Sequence, residues 1–278
     1  MKITIWGSRG SIPSPSPDNN RYGGNTSCVQ VTSENAFLVL DAGSGIRRLN
    51  SKMPEGISRV DILLTHLHMD HIIGLGFFGP LYNSAVTVNI YGPNGTADNL
   101  GSRLIRYLSP PLFPIRLHDL PCQLNLIEIN QSKFQIGDLT IKSAYVCHPG
   151  PTLGYRIESG KSCFTYIPDH EPVLGSSDFP NSPEWTSGYD LAKDADLLFH
   201  DAQYTPEEYQ PRIGWGHSSI PDALTFAQMT AVKKMMFFHH DPSHSDGQLD
   251  NLLKAALKGK RYPFSVGIAA EGDSFILP

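Results

Sequence analysis

The segment DILLTHLHMDHIIG (61–74) is the strongest constraint in this 278-residue chain. A short apolar run, of the kind a strand shows when both of its faces are buried, stops at His66, His68, Asp70 and His71. Four side chains able to bind a cation, crowded into six positions, do not belong in a dry core unless something compensates them. A strand end suits them, because it is accessible yet held by a rigid scaffold. In an extended stretch His66 and His68 face the same way, while Asp70 and His71 are offset toward a second point. That arrangement fits two cations close together, and imidazole with carboxylate favours zinc or a similar divalent ion.

A centre of that kind needs further ligands, and the fold must bring distant strands to one rim. His148 closes the strand-like run KSAYVC, Asp169 closes CFTYIP and His239 closes KMMFF. His239 and His240 compete for the last position; the register of MMFF favours His239. Strand patterns also cover 3–8, 27–33, 36–45, 86–93, 134–148, 152–159, 161–169, 196–201, 233–241 and 264–277. Helical spacing covers 95–109, 219–232 and 246–259, with Ser219 and Asp222 set as a capping box. Roughly a dozen strands with interspersed helices predict two sheets covered by helices, in one domain spanning 1–278. The Pro-rich run 109–121 reads as a loop or lid, and 13–17 and 172–188 as further loops.

Composition narrows the function. The net charge is −5, without a basic block, which speaks against a surface built to grip long nucleic acid. A smaller phosphate ligand remains compatible, since a bound cation supplies local positive charge. The four cysteines, Cys28, Cys122, Cys147 and Cys163, are scattered. With no apolar leader and no run long enough to span a bilayer, the expectation is a cytoplasmic protein with reduced thiols.

The ordered set THLHMDH, His148, Asp169, His239 resembles the metallo-β-lactamase superfamily, and the likeness runs over nearly the whole chain. It implies an αββα four-layer sandwich of two mixed β-sheets flanked by helices, with a two-metal site at one edge. It implies His66, His68 and His148 at one metal and Asp70, His71 and His239 at the other, with Asp169 bridging. A second set, ADLLFHDAQY (195–204), GWGHSS (214–219) and VKKMMFFHH (232–240), resembles the phosphodiesterase branch. That branch includes tRNA 3′-processing endonucleases and cyclic-phosphate phosphodiesterases. GSRGS, YGGNTS (22–27) and DAGSG (41–45) look like the same branch. The processing enzymes usually carry His-Glu-Ala-Thr and His-Ser-Thr; here the text reads His200-Asp201-Ala202-Gln203 and His217-Ser218-Ser219. The long arm that grips tRNA has no evident counterpart.

The resemblance implies a metal-dependent hydrolase with two divalent ions, Zn2+ before Mn2+, cleaving a nucleotide-sized or cyclic phosphodiester. Two ions about 3.5–4 Å apart can clamp a phosphoryl group and bring a shared water to a pKa near 7, so that hydroxide attacks. The catalytic set is then Asp70, which binds metal and takes a proton, His217 as general acid, and Asp201 orienting His217. Two other readings keep the metal ligands: hydrolysis of a carboxylic ester, lactam or lactone, and a metal-stabilised binding domain without turnover. The resemblance admits a homodimer, though the sequence carries no interface signature. Secondary expectations are His170 behind the bridge, Arg9 as the nearest cation or else a solvated arginine, and Ser8 and Ser11 by glycine amides. Asn25 and Thr26 serve a turn or position ligands, Tyr22, Phe113 and Trp215 are candidate base-stacking rings, and His118 and His244 read as surface residues.

Overall fold

The computed structural model describes residues 1–172, 179 and 182–278. Fourteen strands among the described residues form two seven-stranded sheets. The first holds β1 (Lys2–Gly7), β2 (Cys28–Thr32), β3 (Phe37–Leu40), β4 (Arg59–Leu63), β5 (Thr87–Pro93), β6 (Gln123–Ile129) and β14 (Ser274–Ile276), in the order β14-β1-β2-β3-β4-β5-β6. The second holds β7 (Ser132–Ile136), β8 (Leu139–Tyr145), β9 (Leu153–Ser159), β10 (Ser162–Ile167), β11 (Leu197–Asp201), β12 (Lys234–Phe238) and β13 (Ser265–Ile268), in the order β13-β12-β11-β10-β9-β8-β7.

Each sheet is mixed. β1, β2 and β3 pair antiparallel and β3 to β6 parallel; β7 to β10 pair antiparallel and β10 to β13 parallel. The period-two alternation of side chains explains the layering. Leu38, Leu40 and Leu63 point between the sheets, where they meet Leu153, Tyr155, Phe164, Tyr166, Phe199 and Phe238. Val39, Val60 and Ile62 point the other way, against Ile46, Leu49, Ile72, Phe78, Leu100 and Leu104. On the far side Leu198, Met235 and Phe237 pack under Leu191, Ala223, Leu224, Phe226 and Leu249. The result is the expected four-layer αββα sandwich, and burial on both faces is why runs such as DILL read as continuously apolar. Each such side chain contributes about 1.5–3 kcal/mol by leaving water.

The sequence reading passed over β6. QLNLIEI directly follows the Pro-rich run, and its alternation of Leu124 and Leu126 with Asn125 was the available signal. The helix expected over 95–109 is shorter, Leu100–Ile105, and is capped by Asn99. Ser219 caps helix Ile220–Met229, but its hydroxyl also donates to the Asp222 carboxylate at 2.6 Å, so that carboxylate turns to the side chain. Reciprocal boxes lie elsewhere, between Thr205 and Glu208 at the start of helix Pro206–Tyr209 and between Ser245 and Gln248 at the start of helix Asp246–Leu257. Of the loop expected over 172–188, residues 173–178, 180 and 181 lie outside the described residues. All four cysteines are free thiols. Among the described residues no helix is long and apolar enough to cross a membrane.

Candidate metal centre

Parallel strands point their carboxyl ends the same way, and open α/β sheets bind ligands beyond those ends. β3 leads to Asp41, β4 to His66 and His68, β10 to Asp169, β11 ends in Asp201, and β12 leads to His239. His148 follows β8 by three residues. After β4 the chain runs extended through His68 and then winds into the short helix Met69–Ile72, which carries Asp70 and His71. The turn from extended to helical backbone is what aims the second pair of side chains away from the first.

Seven side chains expected at the metals thereby converge. His66, His68 and His148 form one group with ligand atoms within 4.8 Å of one another, and Asp70, His71 and His239 form another. Asp169 stands between them: its Oδ1 is 3.9 Å from His66 Nε2, 3.9 Å from His148 Nε2 and 3.2 Å from His239 Nε2. Its Oδ2 is 3.0 Å from His71 Nε2. Yet His66 Nε2 is buried without a hydrogen bond, and His71 Nε2 and Asp169 Oδ2, 3.0 Å apart, have ion pairs alone. Buried polar atoms so sparsely paired are costly, and atoms that share a cation face each other in this way. The donor set, neutral imidazole and carboxylate around a small polar void, fits divalent ions.

Outer contacts select which ring nitrogen faces inward. His71 Nδ1 donates to Asp41 Oδ2 at 2.8 Å, His148 Nδ1 donates to the Gly216 carbonyl at 2.8 Å, and His239 Nδ1 donates to Gln203 Oε1 at 3.0 Å. Each leaves Nε2 for the centre, the arrangement by which outer partners fix ligand tautomer and angle. Asp41 is itself held by the Thr65 amide at 2.7 Å and the Tyr166 hydroxyl at 3.0 Å. Neither Asp41 nor Gln203 had been singled out. Asp41 closes an apolar strand in DAGSG, as Asp169 does, and that likeness was the available signal.

Two backbone features complete the packing. Asp41 and His239 both adopt left-handed φ, 57° and 58°, a conformation costing about 1–3 kcal/mol for such residues and tolerated where the surroundings hold it. At Gly10 and Gly216 the backbone meets the ligand rings so closely that an added Cβ would lie 2.4 Å from His239 Nδ1 and 2.4 Å from His148 Nδ1. The glycines of GSRG and GWG therefore let the chain approach those rings.

The expected catalytic pair also meets. His217 Nδ1 donates to Asp201 Oδ2 at 2.7 Å. The His217 ring stacks on His239 at a centroid distance of 4.9 Å, and its Nδ1 lies 3.9 Å from Asp169 Oδ1. Asp201 is anchored by the amides of His170 at 3.1 Å and Gln203 at 3.0 Å. Asp70 Oδ2 accepts from the Ser11 amide at 2.8 Å.

Several secondary expectations are corrected. Arg9 is neither solvated nor free for a phosphate: it is fully buried, with Nε donating to Gly23 O at 2.8 Å and Nη1 donating to His244 O at 2.6 Å. His244 is no surface residue either; it is buried and donates to Glu208 at 2.9 Å. His118 is exposed, as expected. His240 turns away and donates to Ala269 O at 2.9 Å, so His239 alone of the pair faces the cluster. The His170 ring contacts His200 at 2.8 Å, behind the site. Ser8 Oγ serves Ala269 O, and Asn25 and Thr26 tie down the turn through Glu271 and Ser44. Phe113 is core, Tyr22 is engaged with Asp250, and Trp215 is open to solvent beside Arg212.

Protonation differs between the two groups. Burial pushes the pKa of His66 and His68 down, and that of His148 down to about 4, leaving neutral rings. For His239 burial acts in the same direction, but Asp169 and Asp70 outweigh it and raise the pKa to about 9. His71 is held well above its usual range in the same way by Asp169, Asp70 and Asp41 against burial. A cation held by His71 and His239 would therefore have to displace protons from them. Loading metal-free protein with zinc in weak buffer at pH 7 is expected to release about one to two protons per molecule, measured by pH-stat. The His239 shift has a second consequence. Its folded pKa lies above the unfolded value of about 6.5, so its stabilisation of metal-free protein is full below that value and is lost as pH rises through about 9.

Comparison with known proteins bears on the family and the fold. A family model described as beta-lactamase superfamily domain matches residues 37–240, well over half of the chain. A ribonuclease Z of Thermoplasma volcanium is 24% identical over 291 residues, covering 88% of this chain and 89% of its own length. A diphosphatase from the PhnP family superposes with a TM-score of 0.69 at 18% identity, over 100% of this chain and 98% of its own. The short form of human tRNase Z superposes with a TM-score of 0.65 at 21% identity, over 100% of both chains.

Proposed function

The chain belongs to the beta-lactamase superfamily, and from that premise we propose that it is a binuclear metal-dependent phosphodiesterase acting on a nucleotide-sized or cyclic phosphodiester. The observation that carries the reading is the convergence of two ligand groups on Asp169, with the His217–Asp201 pair at their margin. His66, His68 and His148 would hold one ion and Asp70, His71 and His239 the other, with Asp169 between; zinc suits this donor set best. Bound divalent ions would supply Lewis acidity and ionise a water near neutral pH.

The protein's own groups then have separable tasks. Asp70, held by the Ser11 amide, is placed to take a proton from the nucleophile. His217 gives Nδ1 to Asp201, which leaves Nε2 to protonate the departing oxygen; histidine suits this near neutrality. A cavity of about 450 Å³ opens beside His66 and His68, walled by Met69, Ile72, Tyr107 and Leu112, with Arg103 and Arg106 in its lining. That volume lies in the range of small-molecule sites, and its apolar walls suit a base or nucleoside, while Arg103 and Arg106 are already paired with Glu128 and Asp98. The ribonuclease Z relatives favour a second reading, cleavage of an RNA chain; the net charge of −5 weighs against it.

A panel assay of metal-loaded protein tests the proposal. It compares bis(p-nitrophenyl) phosphate, 2′,3′- and 3′,5′-cyclic nucleotides, short RNA and a chromogenic lactam, with His68→Ala as control. Turnover of at least one small phosphodiester well above the control is expected. Rates on every phosphodiester no better than the control would overturn the reading, and RNA as the single substrate would shift it to the second.

A further inference from the structure

Glu171 follows the bridging position by two residues and was not among the expected site residues. Its side chain is buried at 1% exposure, where a carboxylate persists only if it is well bonded. Oε1 accepts from the Gly214 amide at 2.9 Å and the Tyr209 hydroxyl at 2.8 Å. Oε2 accepts from the Gly216 amide at 2.8 Å and again from Gly214 at 3.1 Å. One carboxylate thus gathers the turn Gly214-Trp215-Gly216, whose two glycines have left-handed φ of 88° and 86°.

That turn feeds both halves of the site. The Gly216 carbonyl receives His148 Nδ1 at 2.8 Å, and the next residue is His217. We propose that Glu171 is a positioning residue for the general acid: by pinning the Gly214–Gly216 turn it sets the His217 ring against Asp201. The inference rests on the proposed function for its catalytic consequence, but not for the pinning itself.

The test uses full-length Glu171→Leu, which removes the acceptors at similar size, and Glu171→Gln. The glutamine keeps one carbonyl for the Gly216 amide and the longer Gly214 contact, while its NH₂ can donate to the Tyr209 oxygen but opposes the Gly214 amide that Oε1 accepts at 2.9 Å. The first measurement is amide hydrogen exchange. Gly214 and Gly216 are expected to exchange about 10-fold or more faster in Glu171→Leu, as when a local closed state is lost; in Glu171→Gln the Gly216 amide is expected to stay near wild type while Gly214 exchanges faster. The second is the leaving-group dependence of kcat at saturating metal. Misplacing a general acid costs about 10²-fold or more only where the leaving oxygen needs a proton. Glu171→Leu is therefore expected to lose activity on a nucleoside-leaving substrate and to keep it within about threefold on a p-nitrophenyl diester.

Wild-type exchange at both glycines, or equal losses on the two substrates, overturns the proposal. If Glu171→Leu does not fold, Glu171→Asp, which withdraws the carboxylate by one methylene, carries the same two measurements. If wild-type protein cleaves no phosphodiester, the functional reading fails while the exchange result still decides the pinning.

Discussion

Replacing Asp169 by asparagine is expected to abolish turnover and empty the metal centre. Among the described residues Asp169 is the one carboxylate within reach of both ligand groups, with Oδ1 3.9 Å from His66 and 3.2 Å from His239, and Oδ2 3.0 Å from His71. Asparagine keeps the shape and removes the charge. Two cations would then share a site with one less anion, and an amide NH₂ would face imidazole nitrogens. Loss of an outer-shell partner costs about 10–100-fold in metal affinity or activity; loss of the shared ligand should exceed that. Metal-free protein should suffer too, because histidines 71 and 239 owe their raised pKa values largely to this carboxylate. Removing one member of a buried charge pair costs about 3–5 kcal/mol. Metal content by elemental analysis, kcat, and thermal unfolding of the metal-free form report the three effects. An asparagine variant with wild-type metal content and turnover would remove Asp169 from the centre.

The second large effect is expected at His217, where truncation separates the proposed chemistry from its rival. His217→Ala leaves all seven proposed metal ligands in place. It should lower kcat by about 10²–10⁴-fold on phosphodiesters with a nucleoside leaving group, the range for loss of a general acid. A p-nitrophenyl leaving group needs little protonation and should lose far less. Hydrolysis of a lactam or carboxylic ester at the same metals has no specific need of the Asp201–His217 pair. A chromogenic lactam cleaved equally well by both proteins, with phosphodiesters untouched in either, would favour that other class. Asp201→Asn should reproduce part of the loss, since Asp201 touches His217 at 2.7 Å and acts through it.

The local grammar of the chain carried much of this. H-x-H-x-D-H after a buried strand announces a cation site because those side chains are costly to bury unpaired, and the same holds for His148, Asp169 and His239 at the ends of apolar runs. Alternating and continuous apolar runs covered thirteen of the fourteen strands among the described residues, with β13 and β14 inside the single run 264–277; β6 was missed although its alternation was present. What sequence could not decide was which neighbours tertiary packing would supply. Arg9 has the composition of a phosphate ligand, yet folding buries it among backbone carbonyls from residues 23, 241 and 244. His244 reads as a surface residue until Glu208 is brought against it across 36 positions. His239 and His240 are indistinguishable as text, and the left-handed backbone at His239 sends one ring to Asp169 and the other to Ala269. The proposed ligand residues were legible because their chemistry is intrinsic to each side chain. Their partners, Asp41, Gln203 and Glu171, were not, because a carboxylate or amide becomes an orienting group only through the atoms that long-range contacts place beside it.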